Sequence, residues 1–100
     1  MTYKLDDFAT VGSSLRGHIH ATYDELVEVF GKPNVLDAEE GDKTWNEWGI
    51  EFEDGDDYVY ATIYDWKEMY ANESHYGEYR WHIGGKEHRA VELVYEALGK

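Results

Sequence analysis

Between Thr44 and Glu53 apolar and polar residues alternate at a period of two, and a second strand-like run, Tyr58 to Trp66, follows after Asp54-Gly55-Asp56-Asp57. Only a β-strand sends successive side chains to opposite faces, and a short insert whose glycine accepts positive φ reverses the chain at little steric cost. The segment therefore predicts an antiparallel hairpin. Its first arm, Thr44 to Glu53, puts Trp48, Ile50 and Phe52 on one face and Glu47, Gly49, Glu51 and Glu53 on the other, the pattern of a half-buried strand. Its second arm, Tyr58 to Trp66, puts Val59, Ala61 and Ile63 on one face and Tyr58, Tyr60, Tyr64 and Trp66 on the other. Apolar character thus lies on both sides of the second arm, which leaves the choice of buried face open.

The flanking segments supply material to cover one side of such a hairpin. Thr22 and Glu25 have the spacing of a capping box, so a helix is expected from there, with Leu26, Val27, Val29 and Phe30 as its apolar stripe. Gly31, accepting a left-handed cap, and Pro33 end it after about nine residues. Ahead of it, Leu15, Gly17, Ile19 and Ala21 alternate with Arg16, His18 and His20, a possible short strand weakened by its glycine. A third run sets Tyr79, Trp81 and Ile83 against Glu78, Arg80 and His82 and stops at Gly84-Gly85. Ala90, Val91, Leu93, Val94, Ala97 and Leu98 then recur at helical spacing from about Glu87 to Gly99. Asn34 to Asp42 reads as an acidic loop, and Thr2 to Ser14 as a loosely tied arm with Phe8 as its docking residue.

This order predicts an α+β fold: an antiparallel sheet of three or four strands with two helices packed on one face, formed by residues 15–100 behind an arm of residues 1–14. A chain of 100 residues builds one core, and 42% hydrophobic and 16% aromatic residues are enough to fill it. Aromatic residues on the uncovered sheet face then need the arm or a partner to cover them.

Charge narrows the function classes. The chain carries 22 acidic against 9 basic residues, a formal charge of -13, which repels nucleic acid and anionic membranes and argues against binding either directly. Cysteine is absent, which removes disulfides and thiolate chemistry and suits a reducing compartment. Neither a signal-peptide core nor a membrane-length apolar run is visible, so a cytoplasmic location is expected.

Four features are candidate sites. Dense acidic segments at Asp37 to Asp42, Glu51 to Asp57 and Asp65 to Glu73 either keep the protein soluble or imitate the phosphates of a duplex. The aromatic face of Tyr58, Tyr60, Tyr64 and Trp66, joined by Trp45 and rimmed by Glu51, Glu53 and Asp65, is either a protein-binding surface or packing beneath the arm or against a second copy. His18 and His20 share one side of a strand but lack a third ligand at diagnostic spacing, which favours solvated histidines over zinc. Gly84-Gly85-Lys86 precedes a helix as an anion loop does, yet lacks the Walker pattern, and Asp54 to Asp57 lacks the length and terminal glutamate of a calcium loop. No cofactor or metal is expected.

The run from Gly17-His18-Ile19-His20 through Phe30-Gly31-Lys32-Pro33-Asn34 resembles the opening of a family of small hypothetical proteins of tailed bacteriophages. Trp45 to Trp48, Ala61 to Lys67 and Trp81 to Gly85 extend that similarity in the same order. The resemblance implies a phage origin and action in a bacterial host cytoplasm, and carries no catalytic residue. A weaker likeness, of shape alone, links the helix and tryptophan-rich strand to repeats of the β-lactamase inhibitory protein. The expectation is a non-enzymatic protein, monomer or homodimer, that binds and inhibits or redirects a host protein, with nucleic-acid mimicry as one route. A small nucleotide- or metal-dependent enzyme and a virion or assembly component are the alternatives.

Overall fold

The computed structural model describes residues 1–7, 9, 12–34, 46–65 and 77–100. Five strands and two helices follow in the order β1 (Thr2–Leu5), β2 (Ser14–Thr22), α1 (Tyr23–Phe30), β3 (Glu47–Asp54), β4 (Asp57–Tyr64), β5 (Glu78–Gly85) and α2 (Arg89–Ala97). The strands form one antiparallel sheet in the order β1-β3-β4-β5-β2. The class remains α+β, but the expectation of three or four strands is corrected to five, and the sheet rather than the helices dominates the described residues.

The extra strand comes from the segment expected to be a loose arm. Thr2–Leu5 pairs with β3 from Thr2↔Glu53 to Leu5↔Ile50. Tyr3 meets Phe30 and Phe52 edge-on, with ring centroids 5.2 and 5.8 Å away, and Lys4 lies 3.9 Å from Glu51. Four residues are too few to display a period, so their strand character resides in the β3 edge that receives them. Phe8, the expected docking residue, lies outside the described residues.

The face choice left open by the second arm is decided by the core. Trp48, Ile50 and Phe52 of β3, Val59, Ala61 and Ile63 of β4, Trp81 and Ile83 of β5, and Ile19 and Ala21 of β2 are buried in one cluster with Leu26 and Phe30 of α1 and Ala90, Val91, Leu93 and Val94 of α2. Trp48 and Trp81 meet edge-to-face at 5.3 Å, and each indole N–H donates to a backbone carbonyl, Gly31 at 2.7 Å and Ala21 at 2.9 Å. Buried indoles therefore cost the core no unsatisfied donor.

Gly17, the glycine that weakens β2 as a sequence pattern, sits where a Cβ would come within 3.1 Å of Val91, so it admits α2 close to the strand. A register shift between Leu15 and Gly17 turns Leu15 onto the face of His18, where it is exposed, so Leu15 does not join the inward set of Ile19 and Ala21.

Helix α1 begins as its capping box requires, with Thr22 Oγ1 accepting from Glu25 N at 3.1 Å and Glu25 Oε1 accepting from Thr22 N at 3.0 Å. These bonds hold the Glu25 carboxyl below the usual carboxylate range, and Lys100 Nζ approaches the same carboxylate at 3.3 Å. Gly31 ends the helix at φ 88 and ψ -171, a positive φ with extended ψ in place of the expected left-handed cap. Thr22→Ala is expected to cost about 1 kcal/mol, read as a lower thermal midpoint with an unchanged fold.

Candidate protein-binding site

The sheet face opposite the helices is built by alternation from β3 and β4. Register sets Glu53 opposite Tyr58, Glu51 opposite Tyr60 and Glu47 opposite Tyr64, so each tyrosine of the central strand has a glutamate directly across from it. The tyrosines do not form one continuous patch, because Thr62 lies between Tyr60 and Tyr64 and is buried, with its hydroxyl donating to Glu47 Oε2 at 2.6 Å.

On one side of Thr62, Tyr58 is 58% exposed and Tyr60 half-buried. Tyr58, Glu51 and Glu53 line a shallow groove of about 160 Å³ with Thr2, Tyr3 and Lys4, so β1, absent from the sequence-based scheme, forms one wall. Lys86 Nζ lies 6.0 Å from the Tyr60 ring centroid, a cation–π distance. On the other side, Tyr64 stacks on His82 at 5.2 Å with 17° between planes. Burial, and then the charge of Glu47, raises the Tyr64 hydroxyl above its ordinary pKa.

The expected site residues thus separate. Tyr58, Glu51 and Glu53 come together at the groove and Tyr60 stands beside it, opposite Glu51, whereas Tyr64 belongs to a second row with His82. Asp65 is not part of an exposed rim: it is 1% exposed, and its carboxylate accepts from Asn46 N at 2.9 Å and Asn46 Nδ2 at 2.8 Å. Asp65 N donates to Asn46 O at 3.1 Å, so this pair closes the β3–β4 ladder. An aspartate at a strand end finds backbone donors nearby, and this drew Asp65 inward. Trp45 and Trp66 lie outside the described residues, as do the acidic segment Asp37 to Asp42 and most of Asp65 to Glu73.

The histidines assemble differently from the sequence pattern. His18 meets His82 across the β2–β5 ladder with ring centroids 4.8 Å apart, and Arg80 Nη2 lies 3.3 Å from His18 Nδ1. Burial, Arg80 and His20 lower the His18 pKa; burial, His18 and Arg80 lower that of His82, against a hydrogen bond its ring donates to the Tyr64 backbone and the charge of Asp65. Spacing within β2 could not reveal this pair, because its second member comes from a strand about 60 residues away. No group of three or more His, Asp or Glu among the described residues is placed to hold a metal ion. Gly84 and Gly85 serve packing: a Cβ on Gly84 would lie 2.6 Å from Thr62 Cγ2, and one on Gly85 2.7 Å from the Ala90 Cβ.

Fold and surface define an α+β domain with one helix-covered sheet face and a tyrosine–glutamate array on the other. Residues 18–97 match DUF7738, a domain of unknown function, and the chain belongs to that family. No curated protein and no solved structure matches it. No helix among the described residues is long and apolar enough to cross a membrane.

Proposed function

We propose that this protein acts by binding another protein, not by catalysis, and that the groove of Tyr58, Glu51 and Glu53, with Tyr60 beside it, receives a basic segment of that partner. The carrying observation is the register that sets Glu53 against Tyr58 and Glu51 against Tyr60 beside an open groove. Tyrosine offers large contact area at low entropic cost, and flanking carboxylates desolvate favourably only against a cation. The formal charge of -13 steers such a partner from a distance and disfavours nucleic acid. The sequence resemblance to tailed-phage proteins makes a bacterial host protein in the cytoplasm the preferred partner, and inhibition or redirection of it the outcome.

The test is capture from bacterial extract on immobilised wild-type protein and on the Tyr58→Ala/Tyr60→Ala variant, quantified by mass spectrometry. Loss of two interface tyrosines should weaken a true partner by about 2 kcal/mol or more, roughly thirtyfold. Both side chains face away from the core, so the thermal midpoint should stay within about 5 °C of wild type. A retained set that is the same for both proteins would reject the groove as the binding site.

A further inference from the structure

The chain has three arginines, and two of them are occupied. Arg16 Nε and Nη2 donate to the carbonyls of Gly85 at 3.0 Å and Lys86 at 2.8 Å, and Arg89 is bound to the carboxylates of Asp54 and Asp57. Arg80 has no carboxylate partner among the described residues of a protein with 22 acids. Its contact is the ring of His18, and it stands opposite His20 in the β2–β5 register. Three of the five histidines, His18, His20 and His82, share this face with it.

We propose that Arg80 and His18 form an oxyanion site, suited to the phosphate group of a ligand and separate from the tyrosine groove, with the His82 ring, stacked on Tyr64 and with its Nδ1 buried, packed behind His18 and out of reach of the anion. A guanidinium only donates, so Arg80 Nη2 donates to His18 Nδ1 and the ring proton of His18 sits on Nε2, where it can face a ligand. The rest of the Arg80 fork is exposed and able to bind two oxygens. A phosphate has a further oxygen for an imidazole, whereas a carboxylate is used up by the fork. Nine residues of β2 contain no acid, so the site's anion repulsion is local to its margins. The groups facing it are Glu47 of β3, bonded to Thr62; Tyr64 of β4; Glu78 of β5, opposite Thr22; and Asp65 beyond His82, while Tyr95 of α2 reaches edge strand β2 from the helix side, its hydroxyl donating to the His18 carbonyl at 2.6 Å.

The test follows the histidine ring resonances of the full-length protein by NMR while inorganic phosphate is added at constant ionic strength. His18 should shift saturably, and His88 should not. The His18 titration midpoint should rise in the phosphate-saturated protein, because a bound anion stabilises the imidazolium form. Arg80→Gln, at an exposed position, should weaken binding at least about tenfold while leaving the amide spectrum intact, and Arg80→Lys should fall between. Acetate at the same ionic strength should produce no saturable shift. Linear shifts shared with His88, an unchanged His18 midpoint, equal response to acetate, or undiminished binding by Arg80→Gln would each overturn the proposal.

Discussion

Trp48→Ala is expected to leave the domain largely unfolded at mild denaturant concentrations. Trp48 is fully buried between the sheet and α1, edge-on to Trp81 and 5.8 Å from the Tyr23 ring. Truncating a buried tryptophan costs about 3–5 kcal/mol through lost transfer energy and the cavity left behind. Removing the indole also orphans the Gly31 carbonyl at the end of α1, a further cost of about 1–3 kcal/mol. Against a total stability of about 5–15 kcal/mol for a domain, that sum consumes much or all of the margin. In urea followed by circular dichroism, the midpoint should drop by at least about 1.5 M, or the native baseline should vanish. Trp48→Phe, which keeps a ring and loses only the donor, should land between the two. A drop below about 0.5 M for the alanine variant would show that the core closes without this side chain.

Gly85→Ala should also be damaging, by a smaller amount and for the opposite reason. A Cβ there would stand 2.7 Å from the Ala90 Cβ and 3.1 Å from the Tyr60 carbonyl oxygen. Neither neighbour is a flexible side-chain end, so α2 has to lift from the sheet, and overpacking of this kind costs about 1–3 kcal/mol. For a chain of this length that lowers the thermal midpoint by roughly 10 °C. The diagnosis is checked by the double variant Gly85→Ala/Ala90→Gly. Removing the opposing methyl should recover part of the loss beyond the sum of the single effects. Strict additivity would mean the clash lies elsewhere.

Much of the sheet was legible because its causes are local. The alternation in Glu47 to Glu53 and Tyr79 to Ile83, the turn at Asp54 to Asp57 and the Thr22–Glu25 box each act within a few residues, and each names its own element. The tyrosine–glutamate interleaving was legible for the same reason: a hairpin's register follows from its turn. β1 was not, since two apolar residues in Thr2–Leu5 become a strand only when β3 offers an edge. The split of the tyrosine face was not, since Thr62 and the Tyr64–His82 stack separate residues that alternation treats as equivalent.

By itself, then, the sequence determined the elements from α1 to α2, the shared faces of Trp48, Ile50 and Phe52 and of Trp81 and Ile83, and a strongly acidic charge, all consequences of periodicity and composition. Only the tertiary structure decided the fifth strand, the withdrawal of Asp65 into the Asn46 pair, and the meeting of Arg80 with His18 and His82. The fifth strand and the Arg80–His18–His82 meeting depend on pairing between strands far apart in the chain, and Asp65 turns inward because Asn46 offers it donors where the β3–β4 ladder closes.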